Sequence, residues 1–149
     1  MIWAHCNDVN LLTNSSQNIL LERAFSTNLR LDISYDEVYC DLDDCLILGD
    51  KVNTKLLEFL YQSIHKGKRI TLITKHQKDP KITLNEFKIG DIFDEIIHLN
   101  SDELKSNHIK NNNSIFIDDS YKERLDVKSN NKIDVFSPDM IELIIDKSY

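Results

Sequence analysis

Two groups of acidic residues stand where apolar segments end. Asp41, Asp43 and Asp44 follow VYC within YDEVYCDLDDCLILGD, and Asp118 and Asp119 follow SIFI within SIFIDDS. Carboxylates at this density repel one another, so they either form solvated turns or bind a cation. Carboxylate oxygens are the hard ligands that Mg²⁺ prefers. If the two groups lie together, the sequence therefore predicts a magnesium site.

Strand patterns indicate where these acids lie. Five short segments have the apolar, β-branched character of strands: Val38–Cys40, Arg69–Thr74, Glu95–Leu99, Ser114–Ile117 and Ile133–Phe136. Helical patterns alternate with them, which predicts an α/β, three-layer Rossmann-like fold with a parallel five-stranded sheet and helices on both faces. Ligands of such sheets bind beyond the carboxyl ends of the strands. We therefore expect both acidic groups, Thr74 and Lys105 to share one rim of the sheet.

Capping signals mark the expected helices. One helix follows Asn53 and ends at Gly67, and a second begins at Asp79 with Pro80 in its first turn and closes at Gly90. Three more are predicted from their opening residues: SDELKSNHIK capped by Ser101, SYKER with a capping box of Ser120 and Glu123, and SPDMIELII near Pro138.

The ordered motifs resemble the haloacid dehalogenase (HAD) superfamily of aspartate-nucleophile phosphohydrolases. VYCDLDDCLI matches the first family motif, with Asp41 and Asp43 in its two acidic places, and ITLIT ends in Thr74 as the second motif does. Lys105 in ELKSNHI fits the third motif best, with Lys110 as the alternative, and SIFIDDS matches the paired acids of the fourth. The resemblance covers residues 35–149, which we interpret as the catalytic domain.

The resemblance implies a role for each motif residue. Asp41 would attack phosphorus and form an aspartyl-phosphate, and Asp43 would act as general acid and then general base. Thr74 would hydrogen-bond a phosphoryl oxygen, and Lys105 would offset negative charge. Mg²⁺ would be held by the Asp41 carboxylate, the Asp43 backbone carbonyl, and Asp118 or Asp119.

Two departures from the family pattern affect this interpretation. Cys45 stands where the family has Thr or Val; because a thiol is a poor hydrogen-bond donor, we expect slower turnover rather than loss of activity. The segments on either side of Arg69–Thr74 have room for a flap and single helices only, so no sizeable cap domain is expected. Lys75 and His76 follow Thr74 directly, and we hypothesise that they contact the non-reacting part of the substrate; a solvated basic loop is an equal alternative.

Composition limits the possible partners. The chain has 149 residues and a formal net charge of -7, which argues against nonspecific binding to nucleic acid or anionic membranes. Three cysteines without a CxxC pair, no signal-peptide pattern and no apolar run near the ~20 residues of a membrane span favour a reducing, cytoplasmic setting. A phosphorylated small molecule, or an exposed phosphate on a larger substrate, is the expected ligand.

We interpret residues 1–34 as an N-terminal leader or docking segment, with a predicted helix at Ser16–Phe25. This segment leaves a second interpretation open: a weakly active or inactive HAD-like interaction module attached to a larger biosynthetic assembly. In either case a second copy or a partner protein could cover the open site. A receiver-domain interpretation fails, because its phosphoacceptor would follow the third strand and its lysine the fifth.

Overall fold

The structure is a computed structural model that describes residues 31–149. The predicted helix at Ser16–Phe25 lies outside the described residues, and the domain boundary at residue 35 stays a prediction. No helix within residues 31–149 combines the length and apolar character that crossing a bilayer requires.

The described residues contain seven strands. They are β1 (Glu37–Cys40), β2 (Ile47–Leu48), β3 (Lys51–Val52), β4 (Arg69–Thr74), β5 (Glu95–His98), β6 (Ser114–Ile117) and β7 (Asp134–Phe136). Five form one parallel sheet in the order β5-β4-β1-β6-β7, and β2 and β3 form an antiparallel hairpin. The predicted parallel five-stranded sheet is therefore confirmed, with β1 at its centre.

Each face of the sheet is covered by its own apolar cluster. Alternate residues of a strand point to opposite faces, so Val38 and Cys40 join one cluster while Tyr39 joins the other. The first cluster includes Phe59 from α1 (Thr54–His65), and the second includes Val127 from α3 (Tyr121–Asn131). The three-layer arrangement follows from this alternation.

Three helices begin where the capping signals predict. The side chain of Asn53 accepts a hydrogen bond from the Leu56 amide at the start of α1, and that of Asp79 accepts one from Lys81 at the start of α2 (Pro80–Glu86). α1 ends before Gly67, whose φ of +71° suits a residue without Cβ. α2 ends at Glu86 rather than at Gly90, and the chain turns through Lys88, which has a φ of 60°.

Two predicted helices are corrected. SDELKSNHIK forms a turn and then a short 3₁₀-helix at Lys105–His108, because Leu104 is extended and Glu103 accepts a hydrogen bond from the Asn100 amide. SPDMIELII likewise forms a 3₁₀-helix, Pro138–Leu143. In both segments tertiary contacts prevail over the weak propensity of a short helix.

Two connections next to the site are short. Between β1 and β4 the described chain contains the β2–β3 hairpin and α1, and between β4 and β5 it contains α2 and the 3₁₀-helix Gly90–Ile92. Neither connection holds a further domain within residues 31–149.

Candidate active site

Strand pairing brings the two acidic groups together. β1 and β6 are parallel neighbours, with Cys40 opposite Ile117, and the amide of Asp41 donates to the Ile117 carbonyl at 2.9 Å. Asp41 and Asp118, the residues that follow these partners, are both buried. The acids of the DLDD and IDDS segments therefore lie at the same edge of the sheet, as expected.

A buried lysine links the two acids. Lys105 Nζ lies 2.8 Å from Asp41 Oδ1 and 2.6 Å from Asp118 Oδ2, and the residue is only 2% exposed. Burial disfavours the charged ammonium, but the charges of Asp41 and Asp118 outweigh it, so the pKa of Lys105 is raised. Of the two candidate motif lysines, Lys105 contacts these acids and Lys110 is exposed; the catalytic role of Lys105 stays a prediction.

The carboxylates remain crowded despite this lysine. Burial raises the pKa of Asp41 to about 6; Lys105 opposes the shift, and the nearby Asp118 adds to it. Burial also raises the pKa of Asp118, again against the effect of Lys105. A single ammonium between two buried carboxylates leaves net negative charge, which a divalent cation would balance.

A third acid completes a group that fits a metal. Among the described residues, Asp41, Asp118 and Asp119 each offer a carboxylate oxygen within 4.8 Å of the others. Burial and the charges of Asp41 and Asp44 raise the pKa of Asp119. This all-oxygen set suits Mg²⁺. The Asp43 carboxylate is outside the group, and metal contact through its backbone carbonyl stays a prediction.

Arg124 is a site-supporting residue that the sequence analysis missed. Its Nη1 donates to the backbone carbonyls of Asp118 and Asp119 at 2.7 and 2.8 Å. Asp118 Oδ1 also accepts a hydrogen bond from the Ser120 amide at 2.8 Å. These contacts hold the loop after β6 in place. The only sequence signal was an arginine in the first turn of the helix that follows the acids.

The Asp43 side chain points to a histidine. His76 Nδ1 lies 2.9 Å from each oxygen of Asp43, and His76 Nε2 lies 2.9 Å from Thr83 Oγ1. Asp43 lines the site crevice and His76 does not. Both ring nitrogens of His76 therefore have protein partners. This argues against the hypothesis that His76 contacts the substrate.

Thr74 and Lys75 are also engaged within the protein. Thr74 is fully buried, and its Oγ1 accepts a hydrogen bond from the His76 amide at 3.1 Å. Lys75 Nζ lies 2.6 Å from Glu123 Oε1. Glu123 is thus part of a cross-crevice ion pair and not the returning arm of a capping box, although the Ser120 side chain does cap α3.

The site opens to solvent through a crevice of about 230 Å³. Its lining includes most of the predicted site residues: Asp41, Asp43, Lys105, Asp118, Asp119 and Lys75. Thr74 and His76 are not among the residues that line it.

Cys45 fills space beneath the site. It is fully buried, and its thiol points to the Ile117 carbonyl at an Sγ–O distance of 3.7 Å. Burial raises the pKa of Cys45 well above its ordinary value, with Cys40 adding to the shift. A neutral, buried thiol is a packing group rather than a nucleophile.

Solved structures with the same architecture include phosphatase domains. One is the core domain of a protein provisionally described as a phosphoglycolate phosphatase from Streptococcus pneumoniae TIGR4 (TM-score 0.51, 17% identity, 70% of this chain and 80% of that one). Another is the N-terminal part of BF1531 from Bacteroides fragilis, which contains a phosphatase domain complexed with Mg (TM-score 0.52, 17% identity, 89% of this chain and 44% of that one).

An uncharacterised protein from Corynebacterium glutamicum also matches, with a TM-score of 0.53, 10% identity, and coverage of 68% of this chain and 83% of that one. Comparison with the sequence profiles of known families and with curated proteins finds no match. At these identities the likeness concerns the fold. The chain shares with these structures an α/β fold in which helices flank a parallel five-stranded sheet.

Proposed function

We propose that this protein is a Mg²⁺-dependent phosphohydrolase that cleaves a phosphomonoester through an aspartyl-phosphate on Asp41. The observation that supports this most is the buried cluster in which Lys105 contacts Asp41 and Asp118 beside Asp119. Buried carboxylates cost stability unless they are paired or bind a cation, and one lysine pairs with both Asp41 and Asp118. Their position in a HAD-like fold favours phosphoryl transfer.

The proposed reaction has two displacements. A free oxygen of Asp41 attacks phosphorus as the bond to the leaving oxygen breaks, and Asp43 gives that oxygen its proton. Asp43 then removes a proton from water, whose oxygen attacks the same phosphorus as the bond between phosphorus and the Asp41 oxygen breaks. Inorganic phosphate leaves, and both carboxyl groups return to their starting states.

Cations and hydrogen-bond donors make the approach of an anion to an acidic site possible. Mg²⁺ held by Asp41, Asp118, Asp119 and the Asp43 carbonyl would supply positive charge that offsets both the carboxylates and the phosphate. Lys105 neutralises part of the charge on Asp41. The Thr74 hydroxyl oxygen accepts a hydrogen bond from the His76 amide. The hydroxyl proton is the one that would be donated in a hydrogen bond to a phosphoryl oxygen.

The substrate would be a phosphorylated small molecule or an exposed phosphate on a larger molecule. Lys75 is the candidate contact for its non-reacting part, and its ammonium would then leave Glu123 to bind the substrate. Contact between His76 and the substrate stays an expectation from the sequence, because both ring nitrogens have protein partners. The open crevice also allows a second copy or a partner protein to complete the site. A cytoplasmic location remains the expectation from composition.

One alternative has specific support. Two features favour a weakly active or inactive HAD-like interaction module in a larger biosynthetic assembly: Cys45 in place of Thr or Val, and a Thr74 side chain that is buried and does not line the crevice. Such a module would keep the fold and the metal site without turnover.

A screen of phosphorylated metabolites with Mg²⁺ tests the proposal, with Asp41→Asn and EDTA-treated protein as controls. We expect phosphate release by the wild-type protein alone. Equal release by Asp41→Asn would place the activity elsewhere, and no release from any ester would favour the interaction module.

A further inference from the structure

We propose that His76 is a positioning residue that holds the Asp43 carboxylate at the crevice, and that Thr83 fixes its imidazole. The inference rests on the proposed function and adds a residue that orients the proposed general acid, which no family motif supplies. It also gives His76 a role other than contact with substrate.

Asp43 differs from the other acids in how it is held. Asp41 and Asp118 are buried against Lys105, whereas the side chain of Asp43 is 53% exposed. Its two oxygens share one contact, His76 Nδ1 at 2.9 Å. An exposed carboxylate without such a partner would sample several rotamers. The contact with His76 selects one of them.

The imidazole is held from several directions. Thr83 Oγ1 lies 2.9 Å from Nε2, and the His76 amide donates to Thr74 Oγ1 at 3.1 Å. The His76 carbonyl accepts a hydrogen bond from His98 Nε2 at 2.7 Å. Thr83 is itself buried on α2, next to Leu84 of the core. A continuous set of contacts therefore runs from the core to Asp43.

The two ring contacts are compatible with one tautomer. An imidazole with its proton on Nδ1 donates a hydrogen bond to an Asp43 oxygen, which is the carbonyl oxygen when Asp43 carries the proton for the leaving group. Its Nε2 then accepts a hydrogen bond from the Thr83 hydroxyl. Neither nitrogen is then left for a substrate, and the side chain is only 15% exposed. The arrangement suits orientation of a proton-transfer group, which must lie within hydrogen-bond reach of the leaving oxygen.

Leaving-group dependence distinguishes positioning from substrate contact. p-Nitrophenyl phosphate releases a weakly basic oxygen that needs little protonation, whereas phenyl phosphate releases one that needs the proton of Asp43. For His76→Ala we expect kcat/KM to fall ~10-fold or more on phenyl phosphate, within the range of a general acid, and much less on p-nitrophenyl phosphate. His76→Asn, whose amide N–H can replace Nδ1–H, should restore most of the loss.

Two further variants complete the test. Thr83→Val should give a smaller loss with the same leaving-group dependence, and Lys78→Ala, in the exposed part of the same loop, should leave the ratio of the two kcat/KM values unchanged. In an Asp43→Asn background, His76→Ala should cause no further loss, because the two residues would act as one unit.

Equal losses on the two esters, or a raised KM with unchanged kcat, would overturn the positioning role while leaving the phosphatase proposal intact. No hydrolysis of either ester by the wild-type protein would overturn both.

Discussion

Lys105 Nζ lies 2.6 Å from Asp118 Oδ2, and neither side chain is more than 3% exposed. The same ammonium contacts Asp41, so one buried cation serves the acids that follow two neighbouring strands. Breaking a buried pair leaves an uncompensated charge, which is more costly than exchanging the pair for apolar groups.

Replacing Lys105 should therefore destabilise the metal-free protein. For Lys105→Met we expect the free energy of unfolding in EDTA to fall by about 3–5 kcal/mol, with part of the loss recovered in millimolar Mg²⁺. Urea denaturation followed by circular dichroism measures both values. Lys110→Met changes an exposed lysine nearby and should leave stability unaltered. Equal stability of the two variants would contradict the bridging role.

Replacing Asp118 and replacing Asp119 should have different effects on stability and on Mg²⁺ binding. Both Asp118 oxygens have protein partners, Lys105 and the Ser120 amide, whereas Asp119 is exposed. Asp119→Asn should weaken Mg²⁺ binding, measured by calorimetry, while stability changes by less than about 0.5 kcal/mol. Asp118→Asn should reduce both. If Asp119→Asn binds Mg²⁺ as the wild-type protein does, Asp119 is not a ligand.

The raised pKa of Asp41 predicts a pH dependence of stability. Between the ordinary value of 3.8 and about 6, the folded metal-free protein binds more protons than the unfolded chain. The contribution of Asp41 to stability therefore falls as pH rises through this window. Asp41→Asn should be more stable than the wild-type protein in EDTA at pH 7.5, by about 1–3 kcal/mol, and the difference should disappear near pH 4. A constant difference across this range would exclude Asp41 as its source.

Protons should also compete with the metal at Asp41. A ligand must be deprotonated to bind, so Mg²⁺ affinity should decrease as pH falls below about 6, the pKa of Asp41 in the metal-free protein. Calorimetric titrations at pH 5, 6 and 7.5 would measure this, and pH-independent affinity would contradict it.

Arg124 should affect metal binding without touching the metal. Its guanidinium holds the carbonyls of Asp118 and Asp119, so Arg124→Ala should lower Mg²⁺ affinity by roughly 10-fold because the ligand loop loses its support. Lys122→Ala, an exposed change in the same helix, is the matched control. Unchanged affinity in Arg124→Ala would limit the arginine to a structural role.

Cys45 should behave as an inert packing residue. Cys40 and Cys45 are both fully buried, so in a Cys6→Ser background a thiol reagent should label the native protein on the order of a thousandfold more slowly than the urea-unfolded chain. Rapid labelling of Cys45 in the native protein would instead indicate a reactive thiol.

Much of the fold was predictable because it depends on local patterns. Short apolar segments marked all five strands of the parallel sheet, and Asn53, Asp79 and Ser120 marked the helix starts. The site acids were predictable for the same reason: each group follows a strand, and parallel strands end at a common edge.

The tertiary structure alone determined how the site side chains are held. The segment that carries Lys105 has helix-like composition, but it adopts a 3₁₀ turn where Lys105 reaches Asp41 and Asp118. The contacts of His76 with Asp43 and of Lys75 with Glu123 join residues that are 33 and 48 positions apart in the chain. Local propensity and periodicity hold no information about such pairs, since each depends on the distance that packing leaves between two elements.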